Sequence, residues 1–337
     1  MWHSRIAPTI CRYGSILMVS LIGANESIAE ILTVSEMSVR DLERLDRDAT
    51  VVIIPGGIFE EHGPYLPSFT DGYFNQWLAD RTAEAILAER GGTVLKFPMI
   101  PLGVGSPEDF GGLAPFSGSY TIRPETLRAV YMELASALGR DGFRTIFVFN
   151  SHGSPSHNWA LLEAADYFND QYDGTMVVLT SLVYETPNRP QPLSQAELAE
   201  SGADVHAGAN ETSRMLFLHP NLVHDDFENA MPFTADSIDA LTQVAATPGW
   251  PGYFGSPRLA NAAAGAREVQ YQTDRIITLA LQILDGFDWT SLPTRGDLEN
   301  LPASFDTLDR NLRQVNVNFW PNVRVAVTRV LPKFSGH

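Results

Sequence analysis

Short apolar runs alternate with stretches of helical periodicity along most of the chain. Val51 to Ile54 is an unbroken apolar run stopped by Pro55-Gly56-Gly57. Such a run predicts a strand over 50–55 that is buried on both faces. Similar runs predict strands over 93–98, 144–150 and 176–184. Phe74, Trp77, Leu78, Ala85 and Ile86 recur at helical spacing and predict a helix over 74–90, ended by Gly91-Gly92. Further helices are predicted over 34–45, 126–138, 157–168, 210–218 and 267–284. Strands alternating with helices imply βαβ units, so the fold class is α/β around a mostly parallel sheet. Residues 103–118 are rich in Gly and Pro and read as a loop over a site, and 225–262 read as loop. Beyond 290 the pattern changes to two β-like stretches, 315–320 and 323–330. Pro321-Asn322 is the turn between them, which predicts an appended β arm.

Composition sharpens this picture in three ways. A chain of 337 residues, 44% hydrophobic, can build one large α/β core with appendages. The formal net charge of -17 repels phosphate backbones, which excludes nucleic acid and anionic membranes as natural partners. Cys11 is the single cysteine. No disulfide can form within the chain, and any metal must be held by His, Asp and Glu. At the N-terminus Arg5 and Arg12 precede the apolar run Ile16 to Ile22, and Ser27-Ile28-Ala29 resembles a cleavage site. The run is too short for a good membrane span. Residues 1–29 therefore read as a secretory signal, for a periplasmic or secreted protein, or as an N-terminal extension of a cytoplasmic one. Residues 30–289 form the main domain and 290–337 a C-terminal extension.

Candidate chemistry falls in three segments. Glu60, His62 and Asp71 follow the first predicted buried strand. Asn150-Ser151-His152-Gly153 follows a later one. Asp204 to Ser213, with His206 and Glu211, opens a predicted helix. In extended backbone, Glu60 and His62 point to one side and Glu61 to the other. A lone histidine at a strand end usually serves a structural hydrogen bond, but three in Gly-containing loops beside carboxylates form a donor set. Oxygen donors mixed with imidazoles suit zinc or manganese, and iron fits as well. Two ions roughly 3.5–4 Å apart need a bridging carboxylate, can make water a nucleophile near neutral pH and leave a histidine to carry the proton. His219 and His224, among Pro, Asn and Asp, read as surface residues.

These residues resemble the creatininase (creatinine amidohydrolase) family. The stretch Gly57 to Pro67 resembles the family's G-S-x-E-Q-H-G-P-H-L-P, with Asp71 eleven residues after Glu60. Asn150 to Pro155 is similar to N-G-H-G-G-N, and His206 to Ser213 to H-A-G-x-x-E-T-S. Gly252 to Ala260 is similar to a late G-x-x-G-x-P-x-x-A. The resemblance covers about 35–285. It implies a three-layer α/β/α sandwich, two divalent metal ions, hydrolysis of a C–N bond in a small or cyclic amide, and a homo-oligomer, commonly a hexamer. By position it implies Glu60 and His152 on one ion, His62 on the other and Asp71 bridging. Glu211 completes the second site or holds the base, and His206 shuttles the proton.

The departures from the family pattern bear on substrate. Ile58 and Glu61 stand where the family has Ser and Gln, and Tyr65 replaces a His. Ser154-Pro155 replaces Gly-Asn, with His157 and Asn158 nearby to compensate. Creatininase uses a Glu as a ligand two residues after its equivalent of His152, and Ser154 cannot. Ala209 lacks a carboxylate found in many relatives. The expected substrate is therefore an amide other than creatinine. The alternatives are a peptide-trimming, formamide- or lactone-hydrolysing relative, or a metal-binding oligomeric scaffold whose catalysis has lapsed. Trp250, Tyr253 and Phe254 would either wall the pocket or pack a core or an oligomer interface.

Overall fold

All four predicted strands form, and a fifth joins them at the edge. In a computed structural model describing residues 29–107, 117–183 and 194–292, the sheet has the order β1-β3-β2-β4-β5. Its strands are β1 (Glu30–Thr33), β2 (Val51–Pro55), β3 (Thr93–Lys96), β4 (Thr145–Phe149) and β5 (Thr175–Val178). Every neighbouring pair is parallel.

Strand alternation divides the core into two layers. Val51, Ile53, Phe147, Phe149 and Val177 face α2 (Thr70–Arg90) and a long C-terminal helix over Ala262–Leu284. Val52, Ile54, Ile146, Val148, Met176 and Val178 face α3 (Pro124–Asp141) and α4 (Pro155–Gln171). The result is the three-layer α/β/α sandwich. Val52, Ile53 and Ile54 are fully buried, and each such side chain contributes about 1.5–3 kcal/mol. The loop carrying Glu60 and His62 therefore leaves from one of the best anchored strands.

Several expectations change at element boundaries. The predicted helix over 34–45 is only a 3-10 turn (Val34–Glu36) followed by α1 (Val39–Leu42), whose start Ser38 and Asp41 cap reciprocally. Strand β1 just before it was not predicted. Strand β5 stops at Val178 and gives way to α5 (Leu179–Val183), in which the Thr180 hydroxyl accepts the Asn150 N–H at 2.8 Å. The region 225–262 contains a helix over Ile238–Ala245, capped by Ser237. Two other helices are α6 (Gln195–Ser201) and α7 (Ala209–Leu218); numbering on, Ile238–Ala245 is α8 and Ala262–Leu284 is α9. Residues 1–28 and the tail from 293, with its expected β arm, lie outside the described residues. Among the described residues no helix is long and apolar enough to cross a membrane.

Candidate metal centre

The loops after β2 and β4 open at the C-terminal edge of the sheet, where open α/β sheets bind ligands. The structure brings all six predicted site residues together there. Glu60 and His62 lie on the loop after β2, and His152 on the loop after β4. Asp71 sits in the first turn of α2, and Glu211 in the first turn of α7 with His206 just before it. Both carboxylates occupy positive helix ends. Among the described residues three groups could hold a metal ion: Glu60, Asp71 and His152; His62, Asp71 and Glu211; and Glu60, His62 and His206. Within each, the donor atoms lie within 4.8 Å of one another.

Each imidazole is oriented by a backbone carbonyl. His62 Nδ1 lies 3.0 Å from Glu60 O, His152 Nε2 2.9 Å from Val104 O, and His206 Nε2 2.7 Å from Glu61 O. A carbonyl can only accept, so these nitrogens carry protons and the opposite nitrogens turn toward the cluster. His62 Nε2 is buried with no hydrogen-bond partner and lies 3.7 Å from Glu211 Oε2. His152 Nδ1 faces Glu60 Oε2 at 2.9 Å and Asp71 Oδ2 at 3.3 Å. His206 Nδ1 lies 3.9 Å from Glu60 Oε1. His157 plays a different part, since its Nδ1 accepts the Val104 N–H at 3.3 Å and so steadies the segment that orients His152.

The electrostatics call for a cation. Glu60 is 3% exposed and Asp71 2%, and two carboxylates within 4.8 Å repel by about 3–4 kcal/mol at an effective dielectric near 20. Burial pushes Glu60 up to about 7 against the pull of His152. Burial also works against charge on His152, but Glu60 and Asp71 outweigh it and hold that imidazole well above its ordinary value. His62 is raised in the same way, burial being outweighed by Glu211, Glu60 and Asp71. Burial would raise Asp71, yet the hydrogen bond and charge of His152 hold it below the carboxylate range. Protons on the imidazoles thus stand where cations would, and the donor set fits divalent metal. His206 differs: burial first, then the charge of His62, push it well below its ordinary value, so the ring stands neutral, with its proton on Nε2 toward Glu61 O and Nδ1 bare on the side of Glu60.

Glu61 belongs to none of the three donor groups and packs behind His206, on the side away from the cluster. It is 3% exposed, and its Oε1 lies 3.8 Å from His206 Nε2. The loop does not continue as a strand. Gly63 adopts φ 64 and returns its N–H to Glu61 Oε2 at 2.8 Å. Gly252, at φ 91, lets the opposite backbone approach, because a Cβ there would collide with the Glu61 carboxylate. Gly252→Ala should therefore cost roughly 1–3 kcal/mol of stability in urea unfolding. Trp250, Tyr253 and Phe254 are buried. They pack as core beside the site, with Trp250 Nε1 donating to Tyr253 O and the Trp250 and Phe254 rings stacked.

Comparison with known proteins fits this geometry. The profile described as creatininase, creatinine amidohydrolase, matches residues 35–280. The chain belongs to the creatininase family. This creatininase-family hydrolase is 26% identical over 227 residues to a mycofactocin precursor peptide peptidase of Mycobacterium ulcerans (strain Agy99), covering 64% of this chain and 78% of that one. It is also 26% identical over 242 residues to a creatinine amidohydrolase of Pseudomonas putida, covering 69% and 89%. A solved structure named "Creatininase Mn" matches with a TM-score of 0.58 at 22% identity, over 75% of this chain and 99% of that chain. A mutant creatininase of Zn-Zn type matches with the same score and identity, over 75% and 98%. At this level of identity the likeness in structure speaks for the fold.

Proposed function

We propose that this creatininase-family hydrolase cleaves an amide C–N bond at a binuclear divalent metal centre. The observation that carries the reading is that Asp71 belongs to two donor triads of different composition. Glu60, Asp71 and His152 would hold one ion; His62, Asp71 and Glu211 would hold the other. Zinc or manganese suits the donors, and iron fits the same chemistry. When bound, the ions supply Lewis acidity that polarises the scissile carbonyl and makes water acidic enough to attack near neutral pH.

The chain's own residues handle the proton and the geometry. His206 presents Nδ1 to the cluster while Nε2–H is fixed by Glu61 O. Nδ1 takes the proton from the attacking water as the C–O bond forms, and gives it to the nitrogen as the C–N bond breaks. The imidazolium formed in between lies beside the Glu61 carboxylate, which favours that charge. His62 and His152 keep fixed orientations, so the donors need little rearrangement on binding.

The substrate class expected is an amide other than creatinine, because Ser154 occupies the position from which creatininase supplies a carboxylate ligand. A peptide end is the second reading, favoured by the similarity to a precursor peptide peptidase. A panel of lactams, formamides, creatinine and short peptides, with manganese or zinc supplied, tests both readings. Turnover of an amide supports a hydrolase of this type. Absence of turnover across the panel with both ions bound would favour the scaffold reading. The family resemblance also carries the expectation of a homo-oligomer, commonly a hexamer, which sedimentation reads directly.

Metal binding should depend on pH with a definite sign. Glu60 and His152 both hold protons more tightly than usual in the metal-free site. Binding must release those protons, so affinity should rise with pH through and above neutrality. Calorimetry in buffers of different ionisation enthalpy should show net proton release. Uptake independent of pH would contradict this account of the site.

A further inference from the structure

Arg214 is a buried guanidinium at the edge of the site to which the proposed chemistry gives no role. It follows Glu211 by three residues on α7, on the same face of the helix. Its Nη1 lies 3.8 Å from Glu211 Oε1. The guanidinium is held in place from two other sides. Nε donates to Glu268 Oε2 at 3.3 Å and Nη2 to Glu268 Oε1 at 3.2 Å. Its Cζ lies 4.1 Å from the centroid of the Phe74 ring. Glu268, on α9, is buried and also accepts from Gln272 Nε2 at 2.8 Å.

Glu211 is gripped at its other oxygen too. Oε2 accepts the Ala207 N–H at 2.7 Å, from a residue at φ 48, a left-handed conformation uncommon outside glycine. That same oxygen lies 3.7 Å from His62 Nε2. Arg214 and Glu268 together are neutral, so the pair brings no net charge to balance the acidic cluster. What it adds is direction: with its fork anchored on Glu268, the guanidinium holds Nη1 on one side of a carboxylate that must present itself to His62 on the other.

We infer that Arg214, backed by Glu268 and Phe74, is a positioning residue that aims Glu211 and so sets the affinity of one of the two metal positions. The inference rests on the assignment of Glu211 as a ligand in the proposed function. Partners of a ligand typically change metal affinity by about 10–100-fold when removed.

The test is titration of the chelator-stripped full chain with zinc or manganese alone, resolving the two binding steps. Arg214→Met combined with Glu268→Met removes both charges and strands neither. It should weaken one step by about 10–100-fold and leave the other unchanged. Arg214→Lys keeps the charge but not the fork, and should recover part of the loss. A purely structural role would lower the thermal midpoint of the metal-free chain and move both steps together or neither, and either result overturns the inference. If the double variant does not fold, Arg214→Lys and Glu268→Gln carry the same readout: a selectively weakened step supports the inference and unchanged steps overturn it. Glu211→Ala is the control. If it keeps both steps, the ligand assignment itself fails. If it loses one step while the Arg214 variants match wild type, only the positioning role fails.

Discussion

Asp71→Asn should strip the protein of tightly held metal and abolish turnover. The carboxylate belongs to both donor triads, so one substitution weakens two positions at once. It also removes the charge that His152 Nδ1 faces at 3.3 Å. Lewis-acid stabilisation is worth several kcal/mol, so kcat/KM should fall by roughly 10³–10⁴ or more. The fold should survive, because Asn keeps the shape of the side chain and can still accept from Ser151 Oγ, which lies 3.3 Å from Asp71 Oδ1. Metal analysis after desalting, beside activity with excess metal, checks this. Retention of both ions would rule out the bridge.

His206→Ala should produce a different defect. Removing a proton carrier costs about 10²–10⁴ in kcat, while both triads built on Asp71 stay intact. The variant should bind two ions per chain with affinities near wild type. Its residual rate should lose the pH dependence contributed by the imidazole. The nearness of His206 Nδ1 to Glu60 Oε1, at 3.9 Å, makes this a sharp test. If the variant loses an ion, His206 is a ligand in the triad of Glu60, His62 and His206, and the proton must be carried elsewhere.

The ligands were legible in the sequence because each sits where a strong local signal ends. Val51 to Ile54 marks a strand by its unbroken apolar run, and Gly56-Gly57 marks the turn that follows. His152 follows another such strand. Glu211 sits five residues after His206, the start of a segment similar to a family motif. What the sequence concealed depends on contacts between distant segments. Strand alternation separates Glu61 from Glu60 and His62, but only the fold-back at Gly63, at φ 64, sets its carboxylate behind His206. Just past the end of β5 the Thr180 hydroxyl meets Asn150, thirty residues away in sequence. Arg214 lies one helical turn from Glu211, which was readable, but Glu268 is 54 residues further on and only the packing of α9 on α7 brings it there. Strand β1 has four residues at a sheet edge, too few for periodicity to register. The helix over Ile238–Ala245 carried a readable Ser237 cap, masked by the Gly and Pro residues after it.

The most direct test of the central claim is a count of ions per chain. The full-length protein, loaded with zinc or manganese and desalted, should hold two ions per chain by mass spectrometric metal analysis. Glu211→Ala should then hold one, and Asp71→Asn none. A wild-type chain that saturates at one ion, or a Glu211→Ala chain that still holds two, would contradict a binuclear site bridged by Asp71.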